Sequence, residues 1–145
     1  MTWPAPQVGQ IIRYAYLWKR EADAGLEEGQ KDRPAVIVVA QRREGSDIRV
    51  VVAPITHTPP TDPSDALQVP RATCRRVGLD GERQWIVVSE LNSFLWPGPD
   101  LRPLPGRGSA SVIMGLLPAK LSAMVNERLQ ARIVQRRIAI TARGE

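Results

Sequence analysis

The chain has 145 residues and a net charge of +5, from 20 Lys/Arg against 15 Asp/Glu. That length suits a single domain, 1–145, with its own core, and an apolar share of 43% dense in Val and Ile excludes a disordered chain. No run approaches the ~20 apolar residues of a membrane helix, and Met1-Thr2-Trp3-Pro4-Ala5-Pro6 has no basic segment leading into an apolar one, so a cytoplasmic protein without membrane contact is expected. Cys74 is the only cysteine and His57 the only histidine. Internal disulfides, cysteine metal clusters and two-histidine metal sites are therefore excluded, and any catalysis is expected to need no metal or other cofactor.

In chain order, Gln10 to Trp18 reads as a first strand, with Ile11, Ile12, Tyr14, Tyr16 and Trp18 spread over both faces. Lys19 to Asp32 follows as a charged loop broken by Gly25 and Gly29, either a gate or a solvated insertion. Then come two apolar runs, Arg33-Pro34-Ala35-Val36-Ile37-Val38-Val39-Ala40 and Val50-Val51-Val52-Ala53-Pro54-Ile55-Thr56-His57. β-branched runs bounded by turn formers make buried strands, here a hairpin closed at Arg42–Asp47 with Gly45 at positive φ. A hairpin reverses direction, so Arg33 and Thr56 are expected at the same end of one sheet. A guanidinium, a hydroxyl and the His57 imidazole at one edge can hold and cleave a phosphodiester. Thr58-Pro59-Pro60-Thr61-Asp62-Pro63 has three prolines without backbone donors and reads as a surface loop beside that edge.

Gln84 to Val88 is a further buried strand, and Trp96-Pro97-Gly98-Pro99 breaks the chain after it. Pro118 to about Gln135 reads as one long helix, with Leu121, Val125 and Leu129 on one apolar stripe, Met124 beside them, and Lys120, Glu127 and Arg132 opposite. Ile133, Val134, Ile138 and Ile140 extend the apolar pattern beyond what one small core needs, which points to a homodimer. Positive charge is concentrated after Pro118 and at Arg71, Arg75, Arg76 and Arg83. Such an excess attracts polyanions by counterion release, so RNA, DNA or an acidic protein segment are the expected partners.

The two hairpin motifs, an Arg-Pro-aliphatic strand followed by a Pro-Ile-Thr strand end, resemble the signature of the PemK/MazF family of toxin ribonucleases. Val8-Gly9-Gln10-Ile11-Ile12 resembles that family's opening strand, Ala66-Leu67-Gln68-Val69-Pro70 its short "-x-V-P" strand, and Gly78-Leu79-Asp80-Gly81 its following turn. Val87-Val88-Ser89-Glu90-Leu91-Asn92-Ser93-Phe94-Leu95 stands where the family has "-x-x-D-Q-x-R-S/T-I/L-D".

The resemblance implies a mainly β (α+β) fold, a small SH3-like β-barrel with a C-terminal α-helix. It also implies the toxin of a type II toxin-antitoxin system, a metal-independent endoribonuclease cleaving single-stranded RNA to inhibit growth. A cognate antitoxin protein and a homodimer with the RNA groove across its interface go with it. On that reading Arg33 stabilises the phosphorane charge, Thr56 hydrogen-bonds a phosphate oxygen, and Glu90 and His57 are the candidates for acid-base work. The groups expected to contact RNA are Arg13, Lys19, Arg20, Lys31, Arg42, Arg43, Arg71 and Asn92. Ser89-Glu90-Leu91-Asn92 departs from the family's Asp-Gln-x-Arg: the acid is displaced or replaced, and the arginine gives way to Asn92, with Arg13, Arg42, Arg43 or Arg71 as candidates to compensate. That departure keeps two alternatives open: a weakened relative that binds RNA or an antitoxin without cutting, and an SH3-like protein interaction module.

Overall fold

The computed structural model describes residues 3–26, 32–42, 45, 47–135 and 137–143. The two β-branched runs pair as β2 (Arg33–Arg42) and β3 (Ile48–Thr56), an antiparallel hairpin in which Ala35 faces Pro54 and Ile37 faces Val52, with Gly45 at φ 75° in its turn. Around it lie β1 (Gln10–Tyr14), β4 (Ala66–Gln68), β5 (Trp85–Val87), β6 (Glu90–Leu95), β7 (Ile113–Leu116) and β8 (Ala139–Ala142). The main path of the sheet runs β4-β5-β3-β2-β1-β7, and β6 leaves it from β3 to pair with β8. All pairings are antiparallel except β6–β8. The terminal strands β4 and β7 do not pair with each other among the described residues, so the sheet is open rather than a closed barrel. The fold is α+β, a mostly antiparallel eight-stranded sheet with one main helix.

Alternation along the strands divides the core into two layers. Ile11, Val36, Ala53, Ile55 and Ile86 face the main helix α3 (Ala119–Val134), which covers them with Leu121, Val125 and Leu129. Ile12, Tyr14, Ile37, Val52 and Phe94 face the other way, with Tyr14 stacked on Phe94 at 5.0 Å. The expected apolar stripe of α3 is thus its buried face, and Pro118 caps it. Arg132, expected on the solvent face, is instead buried and paired with Asp65 at 2.9 Å. A long side chain at the stripe's border reached a carboxylate that its spacing alone could not reveal. β8 follows α3, so the helix does not end the fold. No described helix is long and apolar enough to cross a membrane.

The first strand stops at Tyr14, short of the expected Trp18. Ala15–Trp18 remain buried but leave the backbone ladder, because side chains and a distant loop take over their hydrogen bonds. The backbone N–H of Leu17 donates to Asn92 Oδ1 at 3.0 Å, and Asn92 Nδ2 donates to the Leu17 carbonyl at 2.8 Å. One side-chain amide thus replaces a strand partner. Arg143 joins this node, with Nη1 on the Ala15 carbonyl at 2.7 Å and Nη2 on Asp100 at 2.7 Å. After Trp18 the expected charged loop opens with a helical turn, α1 (Lys19–Asp23), whose Glu21 side chain accepts from the Trp18 N–H at 3.0 Å.

Candidate functional site

Continuing the β2–β3 register by two residues beyond Ala35–Pro54 sets Arg33 opposite Thr56. Thr56 in turn faces Trp85 of β5, and Trp85 faces Gln68 of β4. Cross-strand partners share a face, so Arg33, Thr56, Trp85 and Gln68 form one row across the sheet. A cavity of about 370 Å³ opens at the Arg33–Thr56 end of that row, walled by Trp18, Arg20, Thr58, Pro59, Pro60 and Ser89 among others. The proline-rich loop is there because three prolines cannot extend β3.

Two guanidinia lie against the Trp18 ring, Arg20 at 5.1 Å and Arg33 at 5.4 Å. Such contacts hold the planar cations in place without neutralising them. Partial burial lowers the Arg33 pKa, offset in part by the Glu21 charge, yet an arginine stays protonated at neutral pH. Thr56 is buried, and its Oγ1 accepts from the Thr58 N–H at 3.2 Å. That role leaves the hydroxyl proton to donate. Among the described residues, the one carboxylate lining the cavity, Asp65, is the partner of Arg132.

Glu90, at the start of β6, follows the cavity residue Ser89 but does not itself line the cavity. Its Oε2 accepts from the Lys19 N–H at 2.9 Å and the Tyr16 hydroxyl at 3.2 Å. Burial raises its pKa above the ordinary 4.5, and the hydrogen bonds from Lys19 and Tyr16 offset this only in part. A carboxylate in that setting holds a proton more tightly than an exposed one, which suits a general base.

His57 turns away from Thr56, as alternation requires. Its Nε2 lies 2.8 Å from Asp80 Oδ2 and 3.5 Å from Glu82, at an exposed position. It does not line the Arg33–Thr56 cavity. These three side chains offer ligand atoms within 4.8 Å of one another, a mixed trio that counting histidines and cysteines does not reveal. It is exposed and hydrogen-bonded within itself, and nothing assigns it an ion.

The expected RNA contacts separate. Arg20 lines the cavity. Lys19 is exposed and paired with Asp23 at 2.7 Å. Arg13 is on the other face of the sheet, since Tyr14 is the cross-strand partner of Arg33 and Arg13 that of Pro34. Arg42 ends β2 nine residues from Arg33, about 30 Å along a strand. Arg71 lines a different cavity. Lys31 and Arg43 lie outside the described residues. Asn92 is corrected outright: it is fully buried, with its amide engaged by Leu17 and Arg143, so it cannot contact RNA. The guanidinium beside it comes from Arg143, not from Arg13, Arg42 or Arg71.

Trp18 and Ser89 both line the cavity; motif reading passed over Trp18 and set Ser89 only at a departure from the family's Asp-Gln. The signal for Trp18 was present, an aromatic immediately before Lys19-Arg20, the pairing that nucleic-acid grooves use. Cys74 is buried and its thiol pKa is raised by desolvation, in keeping with an inert thiol. No protein-family model, curated protein or solved structure matches this chain.

Proposed function

We propose that this protein is a metal-independent endoribonuclease of single-stranded RNA, a divergent PemK/MazF-like toxin whose open sheet is an unrolled variant of the SH3-like barrel. The observation that carries the reading is the placement of Arg33 opposite Thr56 at one cavity, with Arg20 and the Trp18 ring beside them. Two cations and a hydroxyl donor suit a phosphodiester. In the reaction the 2′-oxygen forms a bond to phosphorus and the bond to the 5′-oxygen breaks. Glu90 takes the 2′-hydroxyl proton, Arg33 neutralises the charge growing on the non-bridging oxygens, and the departing 5′-oxygen takes a proton from water. The products are a 2′,3′-cyclic phosphate and a 5′-hydroxyl.

Purified protein is expected to cut single-stranded RNA in EDTA, and a 2′-deoxy substitution at the cleaved position should block it. The base works ionised, so the rate should rise with pH as Glu90 loses its proton, with a midpoint above 4.5. Glu90→Gln should remove that limb. RNA that is bound but left intact supports the second reading, a non-cutting relative, favoured by the engagement of Glu90 Oε2 with Lys19 and Tyr16. RNA neither bound nor cut overturns both.

The same reading places the protein in the cytoplasm as a homodimer opposed by an acidic, apolar antitoxin segment. Of the apolar residues that extend beyond the helical stripe, Ile133, Val134 and Ile140 are exposed, Val134 at 82%, whereas Ile138 packs against the core; exposed apolar side chains suit burial against a second copy. Light scattering should return about twice the chain mass of 16.1 kDa; a mass near 16.1 kDa at micromolar concentration excludes the dimer. An antitoxin that binds alongside RNA with no loss of affinity excludes competition.

A further inference from the structure

A second cavity, of about 450 Å³, lies past the other end of the Arg33–Thr56–Trp85–Gln68 row, and Gln68 is in its wall. Three arginines line it. Arg71 and Arg75 belong to α2 (Arg71–Arg76), and a spacing of four puts them on one helix face. Arg83 lies over the ring of Trp85 at 5.0 Å. All three are exposed, and none makes an ion pair among the described residues. Asp80 and Glu82 also line the cavity. Asp80 is already satisfied by His57 at 2.8 Å, Gln84 at 2.8 Å and the Glu82 N–H at 2.9 Å. Three guanidinia thus face two carboxylates, one of them already engaged.

Trp85 is the cross-strand neighbour of Thr56, so the Arg83 that covers it continues the face on which the first cavity opens. Arg33 and Gln68 are three strand spacings apart, about 14 Å at ~4.8 Å each. A single RNA strand crosses that distance in a few nucleotides. Resting on the function proposed above, we infer that the Arg71–Arg75–Arg83 cavity is a phosphate subsite for the same RNA chain. It would hold the backbone a few nucleotides from the bond that Arg33 and Thr56 address.

The test uses the full chain, a single-stranded oligonucleotide made uncleavable by 2′-deoxy substitution, and a cleavable dinucleotide. Arg71→Gln/Arg75→Gln/Arg83→Gln should weaken binding of the long oligonucleotide roughly 10- to 100-fold, the range for losing hydrogen bonds to charged groups. The slope of log affinity against log salt should become shallower by about 0.7 for each phosphate that the protein no longer neutralises. Dinucleotide cleavage should fall far less than binding of the long oligonucleotide, because a dinucleotide does not reach the second cavity and loses only the long-range attraction. Arg71→Glu/Arg75→Glu, which leaves Arg83 on Trp85, guards against a packing effect and should weaken binding at least as much. A wild type that binds and cuts RNA, beside variants with unaltered affinity and salt slope, overturns the subsite and leaves the ribonuclease reading standing. A wild type that binds no RNA overturns that reading instead. Inorganic phosphate that occupies the cavity without competing with the oligonucleotide also overturns the subsite, since it shows a site for free phosphate.

Discussion

Arg33→Ala is expected to slow RNA cleavage by a factor on the order of 10² to 10³, the usual effect of deleting one donor that meets charge as it develops in the transition state. RNA affinity should fall far less, because Arg20, Arg71, Arg75 and Arg83 share the electrostatic attraction. Arg33→Lys should recover little, since an ammonium cannot make the two-pronged contact of a guanidinium or lie flat on the Trp18 ring. Arg33 is half-buried, so the comparison needs an unchanged urea midpoint to show that the fold is intact. Full cleavage by a folded Arg33→Ala protein would show that the chemistry belongs to other residues.

The hairpin and the long helix were legible because their signals are local. β-branched runs, a turn glycine and an i, i+4, i+8 stripe each fix structure within about a dozen residues. The pairing of Arg33 with Thr56 followed from the hairpin reversal alone. What remained hidden depends on partners far apart in sequence. Nothing near Asn92 says that its amide will satisfy Leu17, and nothing near Arg132 points to Asp65. β8 is four residues long and pairs in parallel with β6, so no turn signal announces it. α2 is short and polar, and its two buried residues, Thr73 and Cys74, give no helical period. The division of the arginines between two cavities was equally invisible, because the strand before α2 meets the residues at β5 through long-range pairings, Gln68 with Trp85 and the Val69 N–H on the Gln84 carbonyl.

The departure at Asn92 leads to the second large effect, on stability. Arg143→Ala is expected to destabilise the fold by about 3–5 kcal/mol, the cost of removing one partner of a buried ion pair. The side chains of Arg143 and Asp100 are 1% and 7% exposed and meet at 2.7 Å. Truncating the arginine removes the 2.7 Å partner of the buried Asp100 carboxylate and takes a donor from the Ala15 carbonyl and from Asn92 Oδ1. For a domain whose whole stability is on the order of 5–15 kcal/mol, that is a large share. Asp100→Leu combined with Arg143→Met should recover part of the loss, because two apolar side chains remove the stranded charge. Recovery should stay incomplete, since the Ala15 carbonyl still lacks its donor. The effect should extend to the cavity: Ala15–Trp18 are held by Asp100, Asn92 and Arg143, and Trp18 is the surface against which Arg20 and Arg33 lie. A loosened segment would let both guanidinia drift, so cleavage should fall even at temperatures where the variant is folded. A denaturant midpoint unchanged by Arg143→Ala would mean that water reaches Asp100, and that the segment carrying Trp18 is held by packing alone.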